Sequence, residues 1–278
     1  MNPDDYCARK VKASGSSFAA SFRFLDPTRR QAMNALYAFC REVDDVVDEC
    51  HEPLVARAKL DWWRGELAVL ENSSQPEHPV TRALVVARQN FSLPTEQLSE
   101  IIDGMQMDLE IARYADFAQL QLYCHRAAGV VGLLAAEVFG YQDRHTLKYA
   151  HTLGLAFQLT NIIRDVGEDI RRDRIYLPQD EMARFGVTAE DLCNYRHTEP
   201  FRALMQFQAD RAKEHYARAF AQLPAGDRKA QRAGLMMAAV YQDLLNEIEK
   251  DGFIVLDRRT SLTPRRKLWL AFKTWLAV

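Results

Sequence analysis

The stretch that decides the fold is Gln158-Leu-Thr-Asn161-Ile-Ile-Arg164-Asp165-Val-Gly-Glu168-Asp169. At about 100° per residue, its apolar side chains and those just before it form one helical stripe. The members of that stripe are Leu155, Leu159, Ile162 and Val166. Four side chains with oxygen atoms line one edge of the stripe, namely Gln158, Asn161, Asp165 and Asp169. Because this polar row borders the apolar stripe instead of opposing it, the pattern predicts a helix whose polar row faces an interior space.

A second stretch of the same design occurs earlier, Tyr37-Ala-Phe-Cys-Arg41-Glu-Val-Asp44-Asp-Val-Val-Asp48. Its apolar residues again form one helical stripe. The polar residues along one edge of the stripe are Tyr37, Arg41, Asp44 and Asp48. A charge run alone usually forms a solvated face. Two rows that both border the core predict two helices facing each other across a cavity.

The rest of the chain shows the same 3.6-residue period, with proline and glycine between the segments and no strand-like alternation. The predicted helices span 28–50, 54–71, 79–91, 95–112, 116–140, 143–172, 200–223, 226–256 and 264–276. The sequence therefore predicts an all-α protein. No composition shift, repeat or low-complexity linker divides it, so we expect a single domain over residues 1–278.

Composition excludes several classes of function. The chain has 36 basic and 38 acidic side chains and a net charge of −2, which argues against nucleic-acid binding. Its five cysteines are scattered and include no Cys-x-x-Cys pair, so neither a zinc site nor a disulfide framework is expected. The acidic N-terminal residues are not those expected of a signal peptide, and the charge-free run 149–163 is shorter than the roughly 20 residues of a spanning helix. We expect a cytoplasmic protein that does not cross a membrane.

Rows of carboxylates and amides favour a hard metal ion. Mg²⁺ prefers oxygen ligands and commonly bridges protein carboxylates to phosphate oxygens. A di-iron bundle would need Glu-x-x-His pairs, which the sequence lacks, and it also lacks Walker and Gly-x-Gly-x-x-Gly motifs. Spacing alone still allows a glycosidase-type pair of carboxylates, although such a pair leaves Gln158 and Asn161 unexplained.

Between the two rows comes Tyr123-Cys-His-Arg-Ala-Ala-Gly129-Val-Val-Gly132-Leu-Leu-Ala-Ala-Glu137. Small residues at 129, 132, 135 and 136 remove volume from a helix rich in valine and leucine, at a cost of about 1 kcal/mol for each glycine relative to alanine. Two explanations are equally good: close packing against another helix, and room for an apolar ligand. Tyr123 is either an ordinary core tyrosine or part of such a cavity.

Together these segments resemble the squalene and phytoene synthase family, which joins two isoprenyl diphosphates head to head. The resemblance runs over nearly the whole chain and implies an isoprenoid-synthase-type helical bundle around a central cavity. Besides the segments above, it includes Ser14-Gly-Ser-Ser-Phe18 and Arg174-Ile-Tyr-Leu-Pro178. The C-terminal Asp251-Gly-Phe and Ser261-Leu-Thr-Pro-x-x-Lys-Leu-Trp269 further resemble the branch that makes presqualene diphosphate for bacterial hopanoid synthesis.

That resemblance implies the condensation of two farnesyl diphosphates to presqualene diphosphate, with onward conversion to squalene left open. It implies that Mg²⁺, or Mn²⁺ in its place, is held by Asp44, Asp48, Asn161, Asp165 and Asp169. It implies that substrate contacts come from Ser16, Ser17, Phe18, Tyr37, Arg41, Gln158, Asn161, Arg174 and Tyr241. Tyr123 is implied to stabilise a cation and assist proton transfer, beside the four aspartates in the catalytic set. NADPH is not expected for this first step.

Two alternatives to this function remain. Phytoene or dehydrosqualene synthesis uses the same motifs, because chain length depends on the depth of the cavity. A non-catalytic lipid-binding or assembly factor belongs to a different class, and it is disfavoured because every aspartate of both motifs is present.

The C-terminal segment is basic and apolar. After Asp257 it contains six basic residues and no acid. Two explanations of this composition are equally good: a final helix docked on the protein, and contact with a membrane surface. Because substrate and product are lipids, we expect reversible association with the inner face of the membrane and contact with downstream pathway enzymes.

Overall fold

The computed structural model describes residues 2–14, 21–50, 52–72 and 76–278. Within these ranges the chain is helical, and its only β-type pairing is an isolated bridge between Arg113 and Ile175. The helices are α1 (Pro3–Ala13), α2 (Pro27–Glu49), α3 (Pro53–Val69), α4 (Pro79–Arg88), α5 (Thr95–Glu110), α6 (Phe117–Cys124), α7 (Val130–Phe139), α8 (His145–Arg171), α9 (Gln179–Phe185), α10 (Ala189–Cys193), α11 (Glu199–Gln222), α12 (Arg232–Lys250) and α13 (Pro264–Ala277). A π-helical turn, His125–Gly129, joins α6 to α7, and short 3₁₀ turns span Phe22–Phe24 and Ala225–Asp227.

The predicted all-α class is confirmed, while some helix bounds were wrong. Helix α12 is shorter than the predicted 226–256, since a separate 3₁₀ turn precedes it and positive φ angles at Gly252 and Phe253 follow it. Helices α1, α9 and α10 were not predicted. The last two have only 7 and 5 residues, too few to show a period, and α1 buries only Cys7 and Val11.

Local capping explains where several long helices begin. Asp26 accepts a hydrogen bond from the Arg29 amide at 3.0 Å, and proline occupies the first position of α2. Thr263 caps α13 in the same way. A side-chain acceptor satisfies an amide that has no partner within the helix, and proline suits a position whose amide needs none.

Helix α8 lies at the centre of the bundle, packed most extensively on α11 and also against α7 and the π-helical turn. The contacts with α7 and with the π-helical turn depend on glycine. A Cβ atom at Gly132 would lie 2.3 Å from the Ala150 carbonyl oxygen, and one at Gly154 would lie 2.4 Å from that of Ala128. Close helix packing therefore explains Gly132.

Buried apolar residues form two clusters. One surrounds α8, α11 and α12, and the other surrounds α2, α4 and α5. Helix α7 contributes to both, whereas α6 contributes only to the first. Helices α6 and α7, with the π-helical turn between them, form the apolar segment Phe117–Phe139. Of the described residues, this segment alone is long and apolar enough to cross a membrane, with a mean hydropathy of 1.3. Half of it is buried and it packs against α5 and α8, so the core accounts for its apolar character.

Candidate active site

A cavity of about 660 Å³ lies where the two apolar clusters meet. Every predicted site residue that the structure describes lines it. These residues are Tyr37, Arg41, Asp44, Asp48, Tyr123, Gln158, Asn161, Asp165, Asp169, Arg174 and Tyr241. The remaining three, Ser16, Ser17 and Phe18, lie outside the described residues. The structure thus brings both polar rows to one cavity.

Helix α2 presents the first row. Phe39 and Val43 of its apolar stripe are fully buried and set the rotation of the helix. Arg41 bridges two carboxylates of the same helix, with its guanidinium nitrogens 2.5 Å from oxygens of Asp44 and of Asp45. This pairing holds Arg41 and Asp44 together at the cavity wall.

Helix α8 presents the second row, and Asp165 is its most heavily paired member. The Nε atom of Arg164 donates to Asp165 at 2.6 Å, and that of Arg259, from the segment after α12, donates at 2.8 Å. Burial opposes ionisation, but these two arginines outweigh it and hold the pKa of Asp165 below its ordinary value.

The loop after α8 connects the two rows. Arg172 and Arg174 donate to the carboxylate oxygens of Asp48 at 2.9 and 3.0 Å. The backbone of this loop is fixed, because the Arg174 amide donates to the Asp169 carbonyl and the Ile175 amide to that of Ala112. Arginines from α2 and from this loop therefore both line the cavity.

Despite these arginines, two carboxylates carry raised pKa values. Burial and the charge of Asp48 raise the pKa of Asp44 to about 7, against the opposing effect of Arg41. Burial and the charges of Asp165 and Asp108 raise the pKa of Asp169 to about 8. Burial is the first cause of both shifts and neighbouring carboxylates are the second, and a cation bound between the rows would oppose both by favouring the charged carboxylates.

The side chains present fit a hard divalent metal ion. The atoms of the two rows that could bind a metal are oxygen atoms. The buried Oδ1 of Asn161 has no hydrogen-bond partner in the described part of the chain. Among the described residues, no three acidic, histidine or cysteine side chains are already gathered around one point. The oxygen donors lie instead on two facing walls.

Sequence reasoning missed Asp108, which lies in the cavity on α5. Its two carboxylate oxygens accept hydrogen bonds from Tyr123 at 3.1 Å and from Tyr176 at 2.7 Å. Burial raises the pKa of Asp108 to about 6, while Arg174 and the two phenols oppose the shift. A sequence signal was present, because Asp108 follows the buried Ile101 and Met105 at helical spacing.

The tyrosines around Asp108 form an aromatic wall. The rings of Tyr123 and Tyr176 stack with centroids 5.0 Å apart, and Tyr114 stacks on Tyr176 at 5.7 Å. Burial, followed by the charge of Asp108, raises the pKa of Tyr123 and of Tyr176 well above the ordinary value. Both phenols therefore stay protonated and donate to the carboxylate.

Away from the carboxylates the wall is mainly apolar and includes Val131, Leu153, Met237 and Val240. Phe139, at the end of α7, also lines it. So does Tyr149, which lies near the start of α8, whereas Asp165 and Asp169 lie near its end. Of the small residues at 129–136, Gly132 and Ala135 line the cavity. Gly129 packs instead against His151 and Leu155, so it is explained by helix packing.

Comparison with known proteins gives matches over nearly the whole chain. The family described as squalene/phytoene synthase matches residues 11–266. A relative in Synechocystis sp., 15-cis-phytoene synthase, is 33% identical over 285 residues, which cover 98% of this chain and 84% of that protein.

Two solved structures are also similar. A dehydrosqualene synthase in complex with ligand has a TM-score of 0.91 and 30% identity, with 99% of this chain and 96% of that one covered. The squalene synthase HpnC from Alicyclobacillus acidocaldarius has a TM-score of 0.79 and 26% identity, with 90% and 94% covered.

Proposed function

Because this chain belongs to the squalene/phytoene synthase family, we propose that it condenses two molecules of farnesyl diphosphate head to head into presqualene diphosphate. One observation carries the proposal. A single cavity has two opposed rows of oxygen ligands with arginines at one end and an apolar wall beyond them. A substrate with a charged diphosphate and a long hydrocarbon chain matches both parts.

The polar end would bind the diphosphates. The residues that would hold a divalent ion, Mg²⁺ or Mn²⁺, are Asp44, Asp48, Asn161, Asp165 and Asp169. Such an ion, when bound, neutralises charge on the diphosphate and so makes it a better leaving group. Arg41, Arg174 and Arg259 now pair with these carboxylates, and they would exchange those partners for phosphate oxygens when substrate binds.

The reaction begins when the bond between C1 and the diphosphate oxygen of one farnesyl diphosphate breaks. The diphosphate leaves with the electron pair and an allylic cation remains. The C2=C3 double bond of the second molecule attacks C1 of that cation, and loss of a proton then closes the cyclopropane. The rings of Tyr123 and Tyr176 stabilise the cation through their quadrupoles and exclude water from it.

The hydrogen bonds of Asp108 provide a route for the departing proton. Tyr123 accepts the substrate proton on its phenol oxygen while its own proton passes to Asp108, 3.1 Å away. An aspartate with a pKa of about 6 can receive a proton near neutral pH. Tyr123 thus assists proton transfer without becoming a free phenolate.

Farnesyl diphosphate is supported by the similarity to a dehydrosqualene synthase and by the bulky side chains of Phe139 and Tyr149 at the apolar end. A second candidate is the conversion of geranylgeranyl diphosphate to phytoene. It is favoured by the names of relatives such as the phytoene synthases of Synechocystis sp. and Mycobacterium tuberculosis. The length of the prenyl chain separates the two candidates.

Product identification tests both. The purified protein would be incubated with Mg²⁺ and labelled farnesyl or geranylgeranyl diphosphate, with and without NADPH, and the products identified by mass spectrometry. We expect presqualene diphosphate from farnesyl diphosphate whether or not NADPH is present. Phytoene as the preferred product would replace the first candidate with the second, and no product from either substrate would contradict both.

Substitution of the carboxylates tests the metal assignment. Asp44→Asn and Asp165→Asn should each lower turnover by at least about a hundredfold, because each removes a carboxylate that would hold the ion that stabilises the departing diphosphate. The matched control is Asp103→Asn on α5, which pairs with Arg64 away from the cavity and should keep the wild-type rate. Near-normal turnover in either cavity variant, with unchanged helical circular dichroism, would remove the metal assignment.

A further inference from the structure

An exposed apolar stripe runs along the last helix. Leu268 and Trp269 are 66% and 62% exposed, and Leu276 is 64% exposed. Phe272 and Trp275 are exposed on the same side. Because these positions follow one another at helical spacing, they form one face of α13. We call these five residues the α13 stripe.

The opposite side of α13 fixes the orientation of the stripe. Arg266 pairs with Asp243 at 2.6 Å and with Glu247 at 2.9 Å, and both acids belong to α12. Leu270 packs against the core. The helix is therefore docked on α12 with its apolar stripe outward.

A second element extends the apolar surface. Phe24, in the 3₁₀ turn before α2, is 46% exposed, and its ring centroid lies 6.4 Å from that of Trp275. The guanidinium of Arg232 lies 5.3 Å from the Trp275 ring centroid. The stripe is thus part of a surface built by separate parts of the chain, and its aromatic rings are held in place.

The charges around this surface are basic. Arg23 is exposed and precedes Phe24 in the chain, Arg265 and Lys273 are exposed on α13, and no acidic residue occurs after Asp257. Trp and Phe beside Lys and Arg characterise helices that lie at a lipid interface, where the rings enter the head-group region and the cations meet anionic lipids. Basic charge beside exposed aromatic rings is complementary to anionic head groups, which favours a lipid surface as the occupant.

The position of the stripe links it to the cavity. Lys267, in the first turn of α13, lines the cavity, as do Arg259 and Leu262 in the segment just before the helix. The exposed stripe therefore belongs to the same helix that forms part of the polar cavity wall.

We propose that α13 lies flat on an anionic lipid bilayer, with the α13 stripe and Phe24 in the interface and Arg23, Arg265 and Lys273 against the lipid head groups. This orientation holds one edge of the cavity close to the bilayer. A prenyl chain can then pass between bilayer and cavity with little exposure to water.

Vesicle sedimentation with the full chain tests the proposal. The protein, without substrate, would be mixed with vesicles of phosphatidylcholine alone or of phosphatidylcholine with phosphatidylglycerol. We expect binding to the anionic vesicles, weakened by salt. Leu268→Asn combined with Trp269→Gln should lower the partition coefficient at least tenfold. Leu54→Asn, which changes a residue 81% exposed at the start of α3, is the matched control and should bind like wild type.

Three outcomes would overturn the proposal: no binding to anionic vesicles, equal binding by the double variant, or equal loss in the control. Light scattering tests whether a second copy of the chain covers the stripe instead. If the wild type formed a dimer and did not bind vesicles, and the double variant were a monomer, the stripe would be a self-association surface. The assay needs no turnover, so its failure leaves the proposed reaction untouched. Both variants should retain wild-type turnover of detergent-dispersed substrate, since none of the three changed residues lines the cavity.

Discussion

Asp108 joins two tyrosines that approach it from different parts of the chain. Tyr123 lies in the last turn of α6, whereas Tyr176 lies in the loop after α8, and each donates to one oxygen of the same carboxylate. A carboxylate can accept from both phenols at once, while the amide of asparagine has only one acceptor oxygen. The charge of Asp108 therefore fixes both rings and makes the phenol oxygens richer in electron density.

This arrangement predicts a coupled loss of activity. Asp108→Asn should lower kcat by about tenfold to a hundredfold with a smaller change in KM, because the carboxylate assists a proton transfer and does not hold the diphosphate. Steady-state kinetics on Asp108→Asn, Tyr123→Phe and the double variant would measure it.

The double variant gives the sharper result. If the two residues act as one unit, it should be no slower than the slower single variant, since either change already breaks the proton route. Additive losses in kcat would show that Asp108 acts independently of Tyr123, contrary to the proposal.

At the scale of elements, the segment after α12 meets α8 at Gly167. The Gly167 amide donates to the Val255 carbonyl at 3.2 Å. A Cβ atom at this position would lie 1.9 Å from the Leu256 carbonyl oxygen, a distance that requires the backbone to move. The same segment continues to Arg259, which pairs with Asp165. Contact at a single glycine thus places an arginine in the site.

Gly167→Ala should therefore lower both stability and activity. We expect the free energy of unfolding to fall by about 1–3 kcal/mol, as for other cases of forced overpacking, and turnover to fall because Arg259 is displaced. Urea unfolding and steady-state kinetics would measure the two effects.

Gly65→Ala is the matched control on α3. No atom lies within 4 Å of a Cβ atom built there, and the residue is in the interior of a helix. Alanine should stabilise this position by about 0.5–1 kcal/mol. If Gly167→Ala were as stable as Gly65→Ala, close contact with Leu256 would not constrain the fold.

At the scale of the whole molecule, one buried aspartate ties the turn before α8 to the turn before α12. Asp227 accepts hydrogen bonds from the amides of Gln142 and Asp143 at 2.8 and 3.0 Å and from the Thr146 hydroxyl at 2.6 Å. Burial opposes ionisation of Asp227, but these three donors outweigh it and lower its pKa. The charged form is therefore favoured by folding.

The sign of this shift predicts an acid-sensitive contribution to stability. Because its pKa is lower in the folded state, Asp227 stabilises the protein at pH values above the ordinary aspartate pKa of about 3.9. This stabilisation is lost as the pH falls through the pKa of the folded state. Asp227→Asn should lower the free energy of unfolding by about 1–3 kcal/mol at pH 7, since it turns an amide donor toward existing donors. The difference from wild type should shrink below about pH 4.

Denaturant unfolding across this pH range would test that prediction. Asp210→Asn is the control, because Asp210 is exposed and accepts a hydrogen bond from Gln206 at the protein surface. It should match wild type at every pH. A constant difference between Asp227→Asn and wild type down to pH 2 would contradict the linkage.

The sequence by itself determined the helical class and the two polar rows. Helical period is a local property, so Asp44 and Asp48 on α2 and Asp165 and Asp169 on α8 could each be placed on an edge from nearby residues. It also predicted that the rows face one cavity, which the structure confirms in its geometry. The single-domain boundary and the roles of the site residues stay predictions.

Only the tertiary structure decided which side chains meet. The pairs Arg259–Asp165 and Arg174–Asp48 join residues 94 and 126 positions apart, and no local period relates them. Asp108 could be placed on an apolar helix face, but its partners Tyr123 and Tyr176 come from other elements. The reason is physical: a helix sets the direction of its own side chains, whereas the packing of helices sets what those side chains contact.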